Sequence, residues 1–577
     1  MDYMDRYNLW LEKVNDEERA ELNALAGNDK EIKERFWAPL AFGTAGMRGV
    51  LGMGINMMNE YTVMRATQGL ANYVKSLGED AMNRGVLISY DTRRFSFEFA
   101  KISAEVLAYN GVQAYIFEDV RPVPMCSFAV RELHTVAGIM ITASHNPKEY
   151  NGYKVYGEDG AQMSPAATSK VVDFIDKIDD YFSVNRVMTG DRNEYLGRDN
   201  YDIADKIKVV GKTIDEKYFE AIEKVSLSPE AVKKVGKDIK IVYTPIHGSG
   251  YMPVTTILAR MGIKVNVVEE QAKPDTEFST VLVPNPEQPD ALKMGMELAN
   301  KLGSDIVIGT DPDSDRMGVA IRNNNNEFVL LNGNQIGALL LDYILTRRTE
   351  EGTMPSNGAI VKTIVTTSLA DKIARSHNVE VYNVLTGFKF IGEKIKEWEA
   401  SGKHTFLFGY EESYGYLSGT HARDKDAVVS AMLFAEMVCY YESKGVKLYN
   451  HLIELFEKYG YFVEKSVAIV FKGLDGMDKM AQIMTDLQNN PKWSISGYEV
   501  KNFLDFKKGV SIDKAGNETK INLPSSNVIK YDLGDDEWVC VRPSGTEPKL
   551  KVYVSVKGAT RDEALAKNAK LFEEFKF

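Results

Sequence analysis

The segment Gly85–Ser144 reads GVLISYDTRRFSFEFAKISAEVLAYNGVQAYIFEDVRPVPMCSFAVRELHTVAGIMITAS. Its short apolar runs, Gly85–Asp91, Val112–Glu118 and Ala137–Ser144, have the length and composition of buried strands. Between them, Phe95–Tyr109 and a stretch near Met125–Leu133 carry apolar residues at helical spacing. Strands alternating with helices of these lengths imply βαβ units and a parallel or mixed sheet. The same order returns twice. Asp238–Ile246, Lys264–Glu270 and Ser304–Asp311 predict strands around helices over Pro253–Met261 and Asp290–Leu302. Gly358–Thr366, Val379–Leu385 and Thr405–Ser413 predict strands around helices over Leu369–Ser376 and Phe390–Ser401. The architecture repeats; the amino acids do not.

The C-terminal part reads differently. Lys549–Lys557 alternates Leu550, Val552, Val554 and Val556 with more polar residues, the pattern of a strand with one solvated face, here taken as an edge. A Thr560-to-Glu563 capping box then opens a helix expected to bury Leu565, Ala569 and Phe572. With 577 residues and about 150 per domain, the chain divides into four domains. Three similar α/β domains are expected over 1–210, 211–327 and 328–450, and a smaller α+β domain over 451–577.

Composition excludes whole classes of function. The chain is 44% hydrophobic and 26% charged, with a net charge of −12, so collagen-like and disordered readings fail, and nucleic acid or an anionic membrane is no general partner. Cys126, Cys439 and Cys540 are too sparse for a disulfide framework or a thiolate metal site and read as small buried hydrophobes. Val329–Leu345 and Ala427–Tyr441 are apolar but interrupted by Asn, Asp or Glu, so neither reads as a membrane span. The acidic N-terminus lacks a secretory pattern, and a cytoplasmic monomer acting on a small molecule is the simplest expectation.

Each predicted third strand ends in a polar loop: TASHNP (Thr142–Pro147), TDPDSDR (Thr310–Arg316) and GYEESYGY (Gly409–Tyr416). Ligands of open α/β sheets sit beyond the carboxyl ends of the strands, so domains facing inward would bring these loops into one cleft. Asp311, Asp313 and Asp315 alternate along the chain and, if extended, share a face. Three converging carboxylates call for a divalent cation, and hard oxygen ligands suit Mg²⁺. An EF-hand is excluded, because Arg316 and Arg322 stand at its glycine and glutamate positions. Asp315 also stands where the dehalogenase-type phosphatase loop has Thr or Val; on the residues alone, a solvated acidic turn stays open.

Ser144 could carry a phosphoryl group, given a metal and cations such as Lys154 and Arg48. A Ser144–His145 hydrolase pair is disfavoured, since neighbours on an extended chain point apart and no G-x-S-x-G elbow is present. Arg542, with Ser544, Gly545 and Thr546, offers donors for a phosphate. Glu411 and Ser413 suit vicinal sugar hydroxyls, although plain turns and surface loops remain alternatives for both stretches.

In chain order, FGTAGMRG (Phe42–Gly49), TASHNPKEYNGYK, TDPDSDR, GYEESYGY and RPSGTEPK (Arg542–Lys549) resemble the motif series of the α-D-phosphohexomutases. The similarity runs from about Phe42 to the C-terminus and looks most like the long-chain phosphoglucomutase branch, shared with phosphopentomutases. It implies four domains around a central cleft. It implies a phosphoserine at Ser144 and Mg²⁺ held by Asp311, Asp313, Asp315 and a phosphate oxygen on Ser144. Lys154 and Arg48 match the family's cations beside the reacting phosphoryl, with Lys154 a candidate base. Glu411 and Ser413 match its sugar readers, Gly387 and Lys389 its specificity loop, and Arg542, Ser544, Gly545 and Thr546 its phosphate clamp. Arg316 joins the substrate-binding set. The histidine that bacterial phosphomanno/phosphoglucomutases place directly after the Ser-Gly of their sugar loop is missing, and His421 resembles one that longer relatives place later.

The implied activity interconverts glucose 1-phosphate and glucose 6-phosphate, with glucose 1,6-bisphosphate as intermediate and activator. Mannose and pentose phosphates are alternative substrates. A Mg²⁺-dependent phosphatase and a non-catalytic sugar-phosphate binder are the rival classes.

Overall fold

The computed structural model describes residues 1–43, 45–471, 476–544 and 549–576. Four main sheets lie along the chain. The first has seven strands, in the order Gly46–Val50, Tyr150–Gly157, Ala137–Ile141, Val86–Tyr90, Ala114–Phe117, Ile207–Val210 and Tyr201–Ala204. The second runs Phe328–Leu331, Met317–Arg322, Ile306–Thr310, Ile241–Thr244 and Val265–Val267, so it extends past the expected boundary at 327. The third is Glu380–Val384, Gly358–Thr363, Thr405–Glu411 and Gly415–Leu417.

These three sheets share one topological element. The predicted first strand lies between the second and third, all parallel, as the apolar runs require. A strand that the periodicity did not reveal then returns antiparallel beside the third: Tyr150–Gly157, Met317–Arg322 or Gly415–Leu417. Each polar loop is therefore a link held at both ends by the sheet.

The fourth sheet is antiparallel throughout, ordered Tyr461–Val470, Lys549–Gly558, Glu537–Pro543, Ile529–Gly534, Asn502–Asp505, Val510–Asp513 and Glu518–Lys520. The chain is thus three mixed α/β domains followed by an α+β domain with an antiparallel sheet. Two local expectations need correction. Lys549–Gly558 is an interior strand, with Tyr461–Val470 outside it, and its second face is partly covered: Tyr553 packs with Ile364, Val365 and Leu385 of the third domain. The last helix, Arg561–Phe572, buries Ala564, Asn568 and Leu571 rather than Leu565, Ala569 and Phe572. Asn568 earns its buried place by donating to the carbonyls of Val463 (3.2 Å) and Val554 (3.1 Å), which apolar spacing cannot reveal. Only half of the box forms as expected: Thr560 caps the Glu563 N–H, while Glu563 reaches the Ala559 N–H instead.

A continuous apolar core joins the first three domains. At its centre the helix Ala427–Ser443, capped by Asp426 on the N–H groups of Val428 and Val429, is buried along Ala427–Tyr441. Among the described residues no helix is long and apolar enough to cross a membrane. All three cysteines are buried. On the same helix Glu436, fully buried, accepts from the Leu227 and Ser228 N–H groups and from Tyr343 Oη, each at 2.9 Å, and from Ser226 Oγ. Glu436→Ala strips several buried donors of their acceptor and is expected to cost about 3 kcal/mol or more. The check is a thermal-melt comparison with Glu436→Gln, which keeps an acceptor and should melt between the two.

Candidate active site

Ser144 leaves the first sheet in the left-handed region, with φ 52°. Its N–H donates to Thr142 Oγ1 (2.8 Å), whose hydroxyl donates to Asp313 Oδ2 (3.2 Å), so the loop is tied to the second domain at its root. Ser144 Oγ, buried, donates to Asp311 Oδ2 at 2.8 Å. The left-handed turn also overturns one expectation: Ser144 Oγ and His145 Nδ1 lie 3.1 Å apart, because the chain here is not extended. Burial, with Arg316 adding to it, pushes the His145 imidazole down to about 2.

The aspartates converge by a turn rather than by strand alternation. Ser314 takes φ 48°, its N–H donates to the Asp311 carbonyl at 2.9 Å, and the Asp315 and Arg316 N–H groups donate to Asp311 Oδ1 at 3.1 and 3.0 Å. One oxygen from each of Asp311, Asp313 and Asp315 lies within 4.8 Å of the others, and all three residues are buried. At that spacing each like-charged pair repels by about 3.5 kcal/mol at an effective dielectric of about 20. Counter-charges come from both neighbouring domains. Lys154 Nζ lies 2.9 Å from Asp313 and 3.7 Å from Asp315, and Lys425 Nζ lies 3.1 Å from Asp315. Burial would lower the Lys154 ammonium, but Asp313 and Asp315 outweigh it and hold it above its ordinary value. Burial likewise raises Asp315, yet Lys425, Lys154 and Arg316 bring it below the usual carboxylate range. Asp311 goes the other way, raised well above that range by burial and its two fellow aspartates.

The third-domain loop is sewn to this cluster. Met317 N–H donates to the Tyr414 carbonyl (3.1 Å) and Ala427 N–H to that of Ser314 (3.2 Å). Glu411, buried at its strand end, accepts from the Gly387 N–H at 2.8 Å, where Gly387 takes φ 120° at the start of the helix Phe388–Ser401. Ser413 and Lys389 are half-buried nearby in sequence, Lys389 over the Phe390 ring. Burial and Glu411 push the Glu412 carboxyl up to about 7, while Lys551 and Arg542 oppose the rise. Arg542 stands beside Lys551 in register on the fourth sheet, and Ser544 N–H donates to the Lys549 carbonyl at 2.7 Å. Gly545 and Thr546 lie outside the described residues.

Arg48 is exposed on Gly46–Val50 and donates to Asn146 Oδ1 at 3.2 Å, beside the Ser144 loop. Arg316 reaches Glu287 Oε1 at 2.9 Å and lies 3.7 Å from Asp315. His421 stands apart: Nε2 pairs with Asp426 Oδ2 at 2.7 Å and the ring packs on Tyr218, not on the Ser144 or aspartate loops. Residue reading passed over Thr142, Lys425 and Arg93. Lys425 carried a faint signal, two residues after Arg423 in a charged run that leads into an apolar helix.

Against models of known families, all four segments of one family match in order. They are phosphoglucomutase/phosphomannomutase alpha/beta/alpha domain I (residues 39–182), domain II (216–324) and domain III (332–459), and its C-terminal domain (501–570). The chain belongs to the phosphoglucomutase/phosphomannomutase family. It is similar to a phosphoglucomutase of Staphylococcus aureus (strain MSSA476), 37% identical over 574 residues and 99% of each chain. A phosphoglucomutase of Staphylococcus saprophyticus is 36% identical, over 96% of this chain and 97% of the relative. The fold is shared with a phosphoglucomutase/phosphomannomutase family protein from Burkholderia thailandensis (TM-score 0.66, 16% identity, covering 93% of this chain and 96% of that one). It is shared equally with the open form of parafusin from Paramecium (TM-score 0.66, 17% identity, 93% and 95%).

The aspartate loop of this family member fits a divalent ion on its own chemistry. Its donors are all carboxylate oxygens, and Oδ1 of both Asp313 and Asp315 is buried without a hydrogen-bond partner. Such orphans are costly unless a cation takes them up. Asp311→Asn should weaken Mn²⁺ binding about a hundredfold or more, as read by titration calorimetry. Unchanged affinity would place the ion elsewhere.

Proposed function

We propose that this chain is a phosphoglucomutase, interconverting α-D-glucose 1-phosphate and glucose 6-phosphate through a phosphorylated Ser144 and glucose 1,6-bisphosphate. The observation that carries the reading is the 2.8 Å hydrogen bond from Ser144 Oγ to Asp311, one of three buried carboxylates. A hydroxyl so placed would carry its phosphoryl group beside a divalent ion and two cationic side chains.

Phospho-Ser144 gives its phosphoryl group to the free hydroxyl of a glucose monophosphate. The Oγ–P bond breaks as the sugar O–P bond forms and the hydroxyl proton passes, in net, to Ser144 Oγ. Ser144 later takes back the other phosphate of the bisphosphate and returns that proton to the sugar oxygen. Mg²⁺ held by Asp311, Asp313, Asp315 and a phosphate oxygen would supply Lewis-acid neutralisation of the charge on the group in flight. Arg48 and Lys154 donate to the phosphoryl oxygens. Lys154, 2.9 Å from Asp313 and 3.7 Å from Asp315, is also the candidate for moving the hydroxyl proton. Glu411 and Ser413 read sugar hydroxyls, with Gly387, Lys389 and Arg316 shaping the site. Arg542, Ser544, Gly545 and Thr546 hold the phosphate that does not react. His421, engaged with Asp426 and packed on Tyr218, takes no part in the chemistry. The glucose preference is supported by full-length relatives named phosphoglucomutase. We further read the protein as a cytoplasmic monomer, activated by glucose 1,6-bisphosphate.

Ser144→Ala is expected to abolish mutase turnover and the phosphate seen by intact-mass measurement, while leaving the melting temperature near wild type. Wild-type kcat/KM should be highest for glucose 1-phosphate among glucose, mannose and ribose 1-phosphates. Wild-type turnover by Ser144→Ala would sink the mechanism; a mannose or ribose preference would change the substrate alone.

A further inference from the structure

Arg93 is fully buried behind the Ser144 loop, and nothing in the reaction above uses it. Its guanidinium gathers four backbone carbonyls. Nη2 donates to Ser144 O and Asn146 O, both at 2.5 Å, and Nη1 to Pro147 O at 2.9 Å and Tyr150 O at 3.1 Å. These carbonyls span the loop, from the left-handed Ser144 to Tyr150, where the return strand bearing Lys154 begins. Carbonyl dipoles converging on one point repel unless a cation sits there, and positive φ costs a residue with a Cβ about 1–2 kcal/mol. A planar fork of donors meets both demands at once.

The arginine is itself fixed. Asp91, also buried, lies 3.4 Å from Arg93 Nε; it accepts from the Arg93 N–H at 2.9 Å and from Ser96 Oγ at 2.7 Å. Asn151 Nδ2 donates on to Ser96 Oγ at 3.1 Å, and the Phe278 ring of the second domain lies 5.1 Å from the guanidinium carbon. Its neighbour Arg94 is a contrast, solvent-exposed and paired with Glu277.

We propose that Arg93 is a positioning residue: it holds Ser144 in the left-handed conformation and so aims Oγ at the Asp311 carboxylate. The proposal rests on reading Ser144 as the phosphoryl carrier. Lysine brings the charge but not the fork, so Arg93→Lys should lower kcat about a hundredfold, the cost of a small misplacement of a reacting group. KM for glucose 1-phosphate should stay within about threefold, because the sugar contacts are untouched.

The test compares full-length wild type, Arg93→Lys, Arg93→Ala and Arg94→Ala in steady-state kinetics and by ³¹P NMR of the phosphoenzyme. The expected result is a loss in kcat and a displaced phosphoserine resonance for both Arg93 variants, with Arg94→Ala at wild-type level. Millimolar guanidinium should restore part of the Arg93→Ala rate. Wild-type kcat and resonance in Arg93→Lys would overturn the proposal. If neither Arg93 variant folds, Asp91→Asn serves: a lower kcat at constant KM with a displaced resonance supports the proposal, and wild-type values overturn it. A wild-type enzyme with no turnover and no phosphate on Ser144 removes the functional reading, and this proposal with it. A wild-type enzyme that turns over while Arg93→Lys is unaffected removes only the role of Arg93.

Discussion

Burying Asp311, Asp313 and Asp315 within 4.8 Å of one another is the constraint on which the rest of the molecule turns. A buried charge without a partner costs several kcal/mol, whereas exposed ion pairs contribute little. The second domain supplies the three carboxylates and only Arg316 in return. Lys154 comes from the first sheet and Lys425 from just before the central helix of the third domain. The cluster is therefore tolerable only when three domains are assembled, and the continuous core that joins them keeps it so. Close backbone approach serves the same end: a Cβ on Gly415 would lie 2.0 Å from Lys425 Cδ and push that ammonium away from Asp315.

The mounting of the loops follows from topology. In each α/β sheet the polar loop joins the third parallel strand to an antiparallel neighbour, so both of its ends are hydrogen-bonded into a sheet. A loop at the end of a crossover has one sheet-bound end and a helix that can shift. A loop between adjacent strands has little freedom left except its own dihedrals, and here those are spent on positive φ at Ser144, Ser314 and Tyr414. Side chains from three domains can then meet within hydrogen-bonding distance without any one loop being long.

Much of this was legible before any coordinates. The three central parallel strands of each α/β unit and the helices between them announced themselves by apolar runs of the right length, whereas the parallel strand Ile207–Val210 and the helix Glu60–Ser76 were not foreseen. The charged loops stood out because they interrupted those runs. The return strands did not. Tyr150–Gly157 contains Asn, Gly and Lys, and Gly415–Leu417 has only three residues, so neither shows a period. Arg93 was hidden for a related reason: its partners are main-chain carbonyls, which leave no trace in residue identity. The alternation of Asp311, Asp313 and Asp315 pointed to the right cluster by the wrong geometry, since the turn at Ser314 and not an extended chain brings them together. Asn568 shows the same limit from the other side, a polar residue buried because two strand carbonyls need a donor.

The fourth domain obeys a different economy. Beyond Phe462, which joins the main core, its apolar contact with the third is a small cluster around Phe506, Trp538 and Tyr553 with Ile364, Val365 and Leu385. A few polar contacts surround it: Trp538 Nε1 to Ser368 Oγ at 3.2 Å, Lys530 Nζ to the Ile364 carbonyl at 2.7 Å, and Lys372 to Asp536 at 2.6 Å. Burial pushes the Lys530 ammonium down to about 8, with Lys362 pushing the same way, so this seam bears an electrostatic cost of its own. Small, partly polar interfaces within a chain are where relative motion is cheapest. A mutase has reason to put compliance there and nowhere else. On the mechanism proposed above, the serine and its carboxylates must keep one geometry for both half-reactions, while Arg542, as the phosphate clamp, must accept whichever phosphate is not reacting. Rigid assembly around the aspartates and loose attachment of the clamp are then two consequences of one chemical demand.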